Sequence, residues 1–246
     1  MELKIDEGLK AYIDPLTPDE HESLERSILA EGCRDSLVVW GDLLIDGHNR
    51  YGICRKHGLP FNTVQATQFK NMDDVHLWMI DQHLGRRSVS DFQRGVLALR
   101  KREIIAERRA AAAAAVNAAK AAQPASEEAP REGETDPVVA QALASVAKVP
   151  DEALDTREAL ARAARLSAGQ VKMIETIQEK AAPEVVAAVK AGELSLNAAA
   201  VVATLPEEEQ QAVAAEGADA LKQAAKRVRD AKKKPKAAKP EAEESA

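Results

Sequence analysis

The chain has 246 residues, 45% hydrophobic and 30% charged, which allows one or two modest domains and excludes a generally disordered protein. A net charge of −6 argues against uniform affinity for nucleic acid, two cysteines exclude a disulfide framework, and no stretch resembles a signal peptide or an apolar membrane span. No membrane partner is expected, and the expected compartment is the cytoplasm.

Much of the apolar share is alanine, and Tyr12, Trp40, Tyr51, Phe61, Phe69, Trp78 and Phe92 all precede residue 93, so the bulky core belongs to the first third. Thr17-Pro18-Asp19-Glu20 combines a capping hydroxyl, a proline at the first helical position and a capping-box glutamate. It predicts a helix over Pro18–Glu31 that stops at Gly32, with Leu24 and Ile28 on its inner face. Ser36 to Trp40 reads as a strand, Gly41-Asp42 as a tight turn and Leu43 to Ile45 as the returning strand. A short helix from Arg50 to His57, a strand from Phe61 to Ala66 and a helix from Asp73 to Leu84 follow. Ser90-Asp91-Phe92-Gln93 is a second capping box, opening a long helix through Leu97, Ile104 and Ile105 into the tract Ala110 to Ala115. Alanine favours helix but buries little, so the later part of this helix is expected to be an exposed lever.

Residues 123–136, rich in Pro, Glu, Ser and Gly, have the composition of a flexible linker. Beyond them Thr156 to Ala164 predicts a helix, Leu166 to Gly169 a turn, and Ser167 the cap of a helix carrying Val171, Ile174 and Ile177. This order fits a helix-turn-helix, with Ser167, Gln170, Lys172 and Met173 where major-groove contacts are made; an ordinary helical hairpin has the same pattern. Helices led by Pro183 and by Ser195-Leu196-Asn197 come next, and Leu205-Pro206 breaks the run before a polar helix. The segment Lys222 to Lys239, including Lys232, Lys233 and Lys234, is basic before the chain turns acidic after Pro240. Such a tail either holds a phosphate backbone or is simply a solvated terminus.

The chemistry concentrates in Leu43-Leu44-Ile45-Asp46-Gly47-His48-Asn49-Arg50-Tyr51, where a strand gives way to a helix. Gly47 permits close backbone approach, the first N–H groups of the helix favour an anion, and Arg50 can donate paired charge-assisted hydrogen bonds. Asp46, His48 and Arg50 also suit a proton-transfer and charge-neutralising site. Cys54 and His57 lack a second pair at zinc-like spacing, so no metal site is expected, and Cys33 and Cys54 read as small packing residues.

These residues carry a resemblance. The order of Leu24, Ser27, Ile28, Gly32, the Leu37-Val38-Val39 strand, Asp46-Gly47-His48-Asn49-Arg50 and Gly85-Arg86-Arg87-Ser88-Val89-Ser90 resembles the ParB/sulfiredoxin-like domain of plasmid and chromosome partition proteins. Arg157 to Val171 resembles the helix-turn-helix that such proteins place after it. The resemblance implies an α+β amino-terminal ParB/sulfiredoxin-like domain, an all-α helix-turn-helix domain and a flexible basic tail. The corresponding boundaries are a pocket domain over 1–90, a connecting helix over 91–122, the linker over 123–136, a DNA-binding domain over 137–205 and a helix with a charged disordered tail over 206–246. It further implies a homodimer on double-stranded DNA, nucleoid or plasmid association, a partition ATPase as partner, and CTP with Mg2+ as ligand, with CTP hydrolysis as the accompanying activity.

By position, Gly47 and Arg50 match the ends of the phosphate motif, while His48 and Asn49 replace its usual acidic and basic residues. Gln82, Arg86 and Arg87 fall near the second triphosphate motif. Asp-Gly-His-x-Arg also resembles the free-serine-kinase version of the fold, in which Asp46 and His48 would be catalytic. A ligand-independent DNA-binding regulator is the third reading.

Overall fold

The computed structural model describes residues 2–10, 12, 16–86, 89–122 and 153–232. The chain divides into two compact units, Met1–Ala168 and Gly169–Ala246. The linker expected over 123–136 and the tail beyond Lys232 lie outside the described residues.

In the first unit, α1 (Glu7–Lys10) and α2 (Pro18–Glu31) precede a hairpin of β1 (Leu37–Trp40) and β2 (Leu43–Asp46). α3 (His48–His57), β3 (Thr63–Gln65), α4 (Met72–Gly85), α5 (Asp91–Ala122) and α6 (Arg157–Ala164) follow. The first capping box forms as its sequence requires: Glu20 N–H donates to Thr17 Oγ1 at 3.3 Å and Thr17 N–H donates to Glu20 Oε2 at 2.9 Å. Gly32, at φ 77°, ends the helix. β1 pairs antiparallel with β2 and parallel with β3, giving the order β2-β1-β3.

Strand alternation divides the core between the two faces of this sheet. Leu37, Val39 and Leu44 pack with Leu3 and with Tyr51 of α3. Val38, Trp40, Leu43 and Ile45 face the other way, toward Leu9, Phe69, Val75 and Met79. α2 closes over α3 through Leu24 and Ile28 against Ile53 and Cys54, and Glu25 accepts from Lys56 at 2.7 Å and bonds His57 at 2.5 Å.

The second capping motif is only half a box. Ser90 Oγ accepts from Gln93 N–H at 3.2 Å, but the buried Gln93 side chain donates to the carbonyl of Tyr12 at 2.8 Å instead of returning to Ser90. α5 is fastened to α4 by two nearly buried cations, Lys101 to Asp81 at 2.7 Å and Arg108 to Asp74 at 2.8 Å. Its alanine half is not a bare lever: α6 packs along it, Ala119 is buried, and Arg109 reaches both oxygens of Asp155 at 3.0 and 3.1 Å. The buried face of α6 is formed by Leu160, Ala161 and Ala164, the two alanines leaving room for the alanine tract.

The second unit contains α7 (Ala168–Lys180), α8 (Pro183–Lys190), α9 (Leu196–Val202), α10 (Glu207–Ala215) and α11 (Ala218–Lys232). Its core is aliphatic, with Val171, Ile174 and Ile177 of α7, Val185 and Val189 of α8, Val202, Val213 and Leu221. One buried polar side chain organises it. Gln210 accepts from Ala182 N–H at 2.8 Å and donates to the carbonyls of Lys180 and Leu205 at 3.0 and 2.9 Å, satisfying backbone groups where α7 ends, α8 begins and α10 is entered. Helix α11 draws the first part of the basic segment into the fold by burying Leu221, Ala224 and Ala225.

Replacing Gln210 with alanine leaves those groups without their side-chain partner and is expected to destabilise the second unit by about 2–3 kcal/mol. Trp40 and Trp78 both belong to the first unit. Urea unfolding followed by far-ultraviolet circular dichroism should therefore show the loss, while the tryptophan-fluorescence midpoint stays in place.

Candidate functional site

β2 delivers Asp46, and the next residue, Gly47, turns the chain at φ 98° and ψ 25° into the first turn of α3. A Cβ on Gly47 would stand 2.6 Å from Leu37 Cδ2 and 3.0 Å from Arg50 Nη2. Both the left-handed backbone and the space therefore require glycine here. No side chain caps the helix, and its first bond runs from Tyr51 N–H to the Gly47 carbonyl at 2.8 Å. The N–H groups of His48, Asn49 and Arg50 thus precede the intrahelical ladder, where the helix dipole favours negative charge.

Above this turn lies a cavity of about 200 Å³, walled by Asp46 through Arg50, by Asp35 from the connection between α2 and β1, and by Arg86 just after α4. Leu16 and Leu24 supply its apolar side. Four charges form an alternating chain across it: Arg50 Nη1 donates to Asp35 Oδ2 at 3.3 Å, Arg50 Nη2 lies 3.5 Å from Asp46 Oδ2, and Arg86 Nη2 donates to Asp46 Oδ1 at 3.2 Å. The formal charges cancel, so an incoming anion must displace carboxylates from the guanidinium groups. Asp35, with its side chain 80% exposed, is the easier to displace; Asp46 is 26% exposed and bridges both arginines.

His48 contributes in an unexpected way. Both its ring nitrogens are enclosed without a hydrogen-bond partner among the described residues, as is Arg50 Nε. Burial pushes the His48 pKa down against the opposing pull of Asp46, so the imidazole is held neutral. Buried polar atoms without partners are uncommon in folded proteins, and three of them lie beside this open helix end.

Gly47, His48, Asn49, Arg50 and Arg86, expected to act together, all line this cavity with Asp46. Gln82 is exposed on α4 and does not line the cavity, and Arg87 lies outside the described residues. Asp35 and His83 were not anticipated. Asp35 sits in a connection with no motif, and only folding brings it to Arg50. His83 is 4% exposed on α4, where burial pushes its pKa down, Arg86 and His48 add to that shift and Asp46 opposes it. Its place three residues before Arg86 on the apolar face of a helix was the available signal.

Of the residues expected to read DNA, Ser167 is exposed ahead of α7, Lys172 is exposed, and Gln170 and Met173 are half-buried. α6 begins at a Thr156 cap and ends at Arg165, φ 55°, with Leu166 N–H donating to the Ala161 carbonyl at 2.8 Å. α6 belongs to the first unit and α7 to the second. Lys232 is the last residue of α11, and Lys233 and Lys234 lie outside the described residues. Lys222, Lys226 and Arg229 are exposed at helical spacing on α11. Among the described residues no three His, Cys, Asp or Glu side chains gather as a metal site, and no helix is long and apolar enough to cross a membrane.

The titrations near the cavity have a defined sign. His48, His76 and His83 are all held below the ordinary 6.5, chiefly by burial. The unfolded chain therefore binds protons that the folded chain resists, and the first unit loses stability as pH falls below about 6.5. Glu25, held at about 2 by hydrogen bonds from His57 and Lys56, acts in a separate window, and its contribution is lost only as pH falls below about 4.5. Fluorescence-detected melting between pH 7.5 and 3 should show both declines, the upper one reduced by His83→Gln and the lower one by Glu25→Gln.

No protein-family model matches the chain, and no curated protein matches it. Among solved structures, the chain is similar to the C2221 form of a pNOB8-like ParB N-domain, at 20% identity and a TM-score of 0.46, over 82% of this chain and 76% of that one. A second pNOB8-like ParB N-domain structure is similar at 18% identity and 0.43, over 94% and 92%. The C-terminally truncated chromosome-partitioning protein ParB from Caulobacter crescentus, complexed to the centromeric parS site, is similar at 13% identity and 0.31, over 95% and 96%.

Proposed function

We propose that the chain is a double-stranded-DNA-binding protein of ParB type, acting as a homodimer in plasmid or chromosome partition or in transcriptional regulation, whose first unit binds a phosphorylated nucleotide. The observation that carries the ligand half is the convergence of an uncapped helix N-terminus, the Gly47 turn, Arg50 and the distant Arg86 on one cavity. Backbone N–H groups and two guanidinium forks together match several phosphate oxygens at once. CTP is the favoured nucleotide through the resemblance of Asp46 to Arg50 to the ParB phosphate motif. Mg2+ would enter with the phosphates and neutralise part of their charge, and the Asp35 and Asp46 carboxylates are the oxygen donors at hand.

The DNA half rests on the order of a capped helix, a short turn and a helix across Thr156 to Lys180, with exposed Lys172 and the basic face of α11 as phosphate contacts. A nucleotide that changes the setting of Arg86 reaches the start of α5, which provides a route by which ligand and DNA could be coupled.

Titration of the full chain with each of the four nucleoside triphosphates, with and without Mg2+, tests the ligand half. CTP binding is expected, with Arg50→Ala weakening it by about 10-fold or more, as for loss of a charge-assisted contact, while melting stays close to the parent. Absence of binding by all four would overturn it. For DNA, selection from random genomic fragments should enrich one sequence, and Lys172→Ala should weaken all sequences similarly and flatten the salt dependence. A selection that enriches nothing removes the site-specific reading.

One observation favours a second reading, a free-serine-kinase-like phosphotransferase. Asp46 and the neutral, partnerless His48 stand beside the same arginines, a carboxylate and an imidazole available for proton transfer. Formation of phosphoserine from serine with ATP or ADP, abolished by Asp46→Asn, would establish this reading in place of the clamp. Sequence-specific DNA binding unaffected by any nucleotide would instead establish a ligand-independent regulator.

A further inference from the structure

Behind the cavity lie two thiols that neither reading uses. Cys33 is half-buried on the connection from α2 to β1, and Cys54 is 1% exposed on α3. Cys54 belongs to one small core cluster with Ile28 and Ile53, and Cys33 packs against that same cluster. Cys33 Sγ also donates to the Asp35 carbonyl at 3.5 Å. Each cysteine is close in sequence to one member of the ion pair at the cavity rim: Cys33 lies two residues before Asp35, and Cys54 one helical turn after Arg50. The two segments that meet through Asp35 and Arg50 therefore meet a second time through sulfur.

We propose that Cys33 and Cys54 are a modification site, an intramolecular disulfide formed by a peroxide, and that this bond fixes Asp35 on Arg50 and weakens anion binding in the cavity. The second clause rests on the phosphate-pocket reading; the first does not. Cys33, the more exposed thiol, meets the oxidant. Its thiolate attacks hydrogen peroxide to give a sulfenic acid and hydroxide, and the Cys54 thiol then attacks that sulfur, with its proton and the departing hydroxyl leaving as water. The sum is two thiols and one peroxide giving one disulfide and two waters. Burial and the neighbouring Cys33 push the Cys54 thiol up to about 11, so Cys33 is the first to react, and Cys54 attacks the sulfenic sulfur as its proton passes to the departing hydroxyl.

The consequence follows from effective concentration. In the reduced protein Asp35 is 80% exposed and held by one long contact, so an anion displaces it readily. A disulfide two residues away confines it beside Arg50, and every anion must compete with a tethered carboxylate.

The full chain, purified reduced, would be treated with graded hydrogen peroxide, quenched with a maleimide and measured by intact mass and non-reducing peptide mapping. Loss of two hydrogens, absence of maleimide adducts and a Cys33–Cys54 cross-linked peptide are expected, all absent in Cys33→Ser. Cys33 over-oxidised to sulfinic acid with Cys54 still a free thiol, or a disulfide between two copies, would overturn the site. Inorganic triphosphate, which peroxide leaves unchanged, then probes the cavity. Binding about fivefold weaker after oxidation is expected from tethering, restored by dithiothreitol and insensitive to oxidation in Asp35→Asn. Equal binding by the reduced and disulfide forms would overturn the coupling. If the reduced protein binds neither triphosphate nor any nucleotide, the pocket reading fails, and the masses still decide whether the disulfide forms.

Discussion

The turn at Gly47 is the constraint on which the rest of the first unit depends. β2 must end in the sheet, α3 must lie across the sheet's Leu37 and Val39 face, and one residue at φ 98° joins them while a core leucine occupies the space a side chain would need. That geometry leaves the helix start without a side-chain cap and aims its free N–H groups outward. It also sets Asp46 and Arg50 on either side of the turn. The uncapped helix start at the cavity is thus a consequence of how the strand and helix are joined, with Arg50 and Arg86 placed beside it.

Beside the uncapped helix start stands the internal pairing of the arginines. A cavity with two free guanidinium groups would attract any passing anion; this one has each arginine held by a carboxylate, so an entering anion would have to replace those contacts. Bidentate phosphate oxygens can, whereas chloride cannot. The enclosed nitrogens of His48 add a further demand that a bare anion does not meet, since a neutral imidazole needs a donor as well as an acceptor near it.

The long helix is where the pocket's state could reach other parts of the first unit. Its early half is bolted to α4 by Lys101 and Arg108, cations that cannot leave their carboxylates without exposing buried charge. α6 packs on the same helix through Leu160, Ala161 and Ala164, and Arg109 adds an ion pair to Asp155 just before α6. In the second unit, with its small aliphatic side chains, the Gln210 contacts supply the positional specificity that bulky packing supplies in the first.

What the sequence by itself determined was local. The cap at Thr17, the stop at Gly32, the hairpin turn at Gly41-Asp42, the glycine between strand and helix and the period of Val171, Ile174 and Ile177 are encoded within a few residues. Each therefore appears in the structure where its pattern placed it. The glycine and arginine of the pocket were legible for the same reason, both lying within one four-residue motif. Only the tertiary structure decided which distant segments meet: Asp35 on Arg50, Arg86 on Asp46, Cys33 against the cluster that holds Cys54, Gln93 turned to Tyr12 rather than to its own cap, and α6 against α5. These contacts join segments with no shared periodicity. Their partners are selected by which surfaces meet once the sheet is covered on both faces, a property of the packed chain that no short window of residues contains.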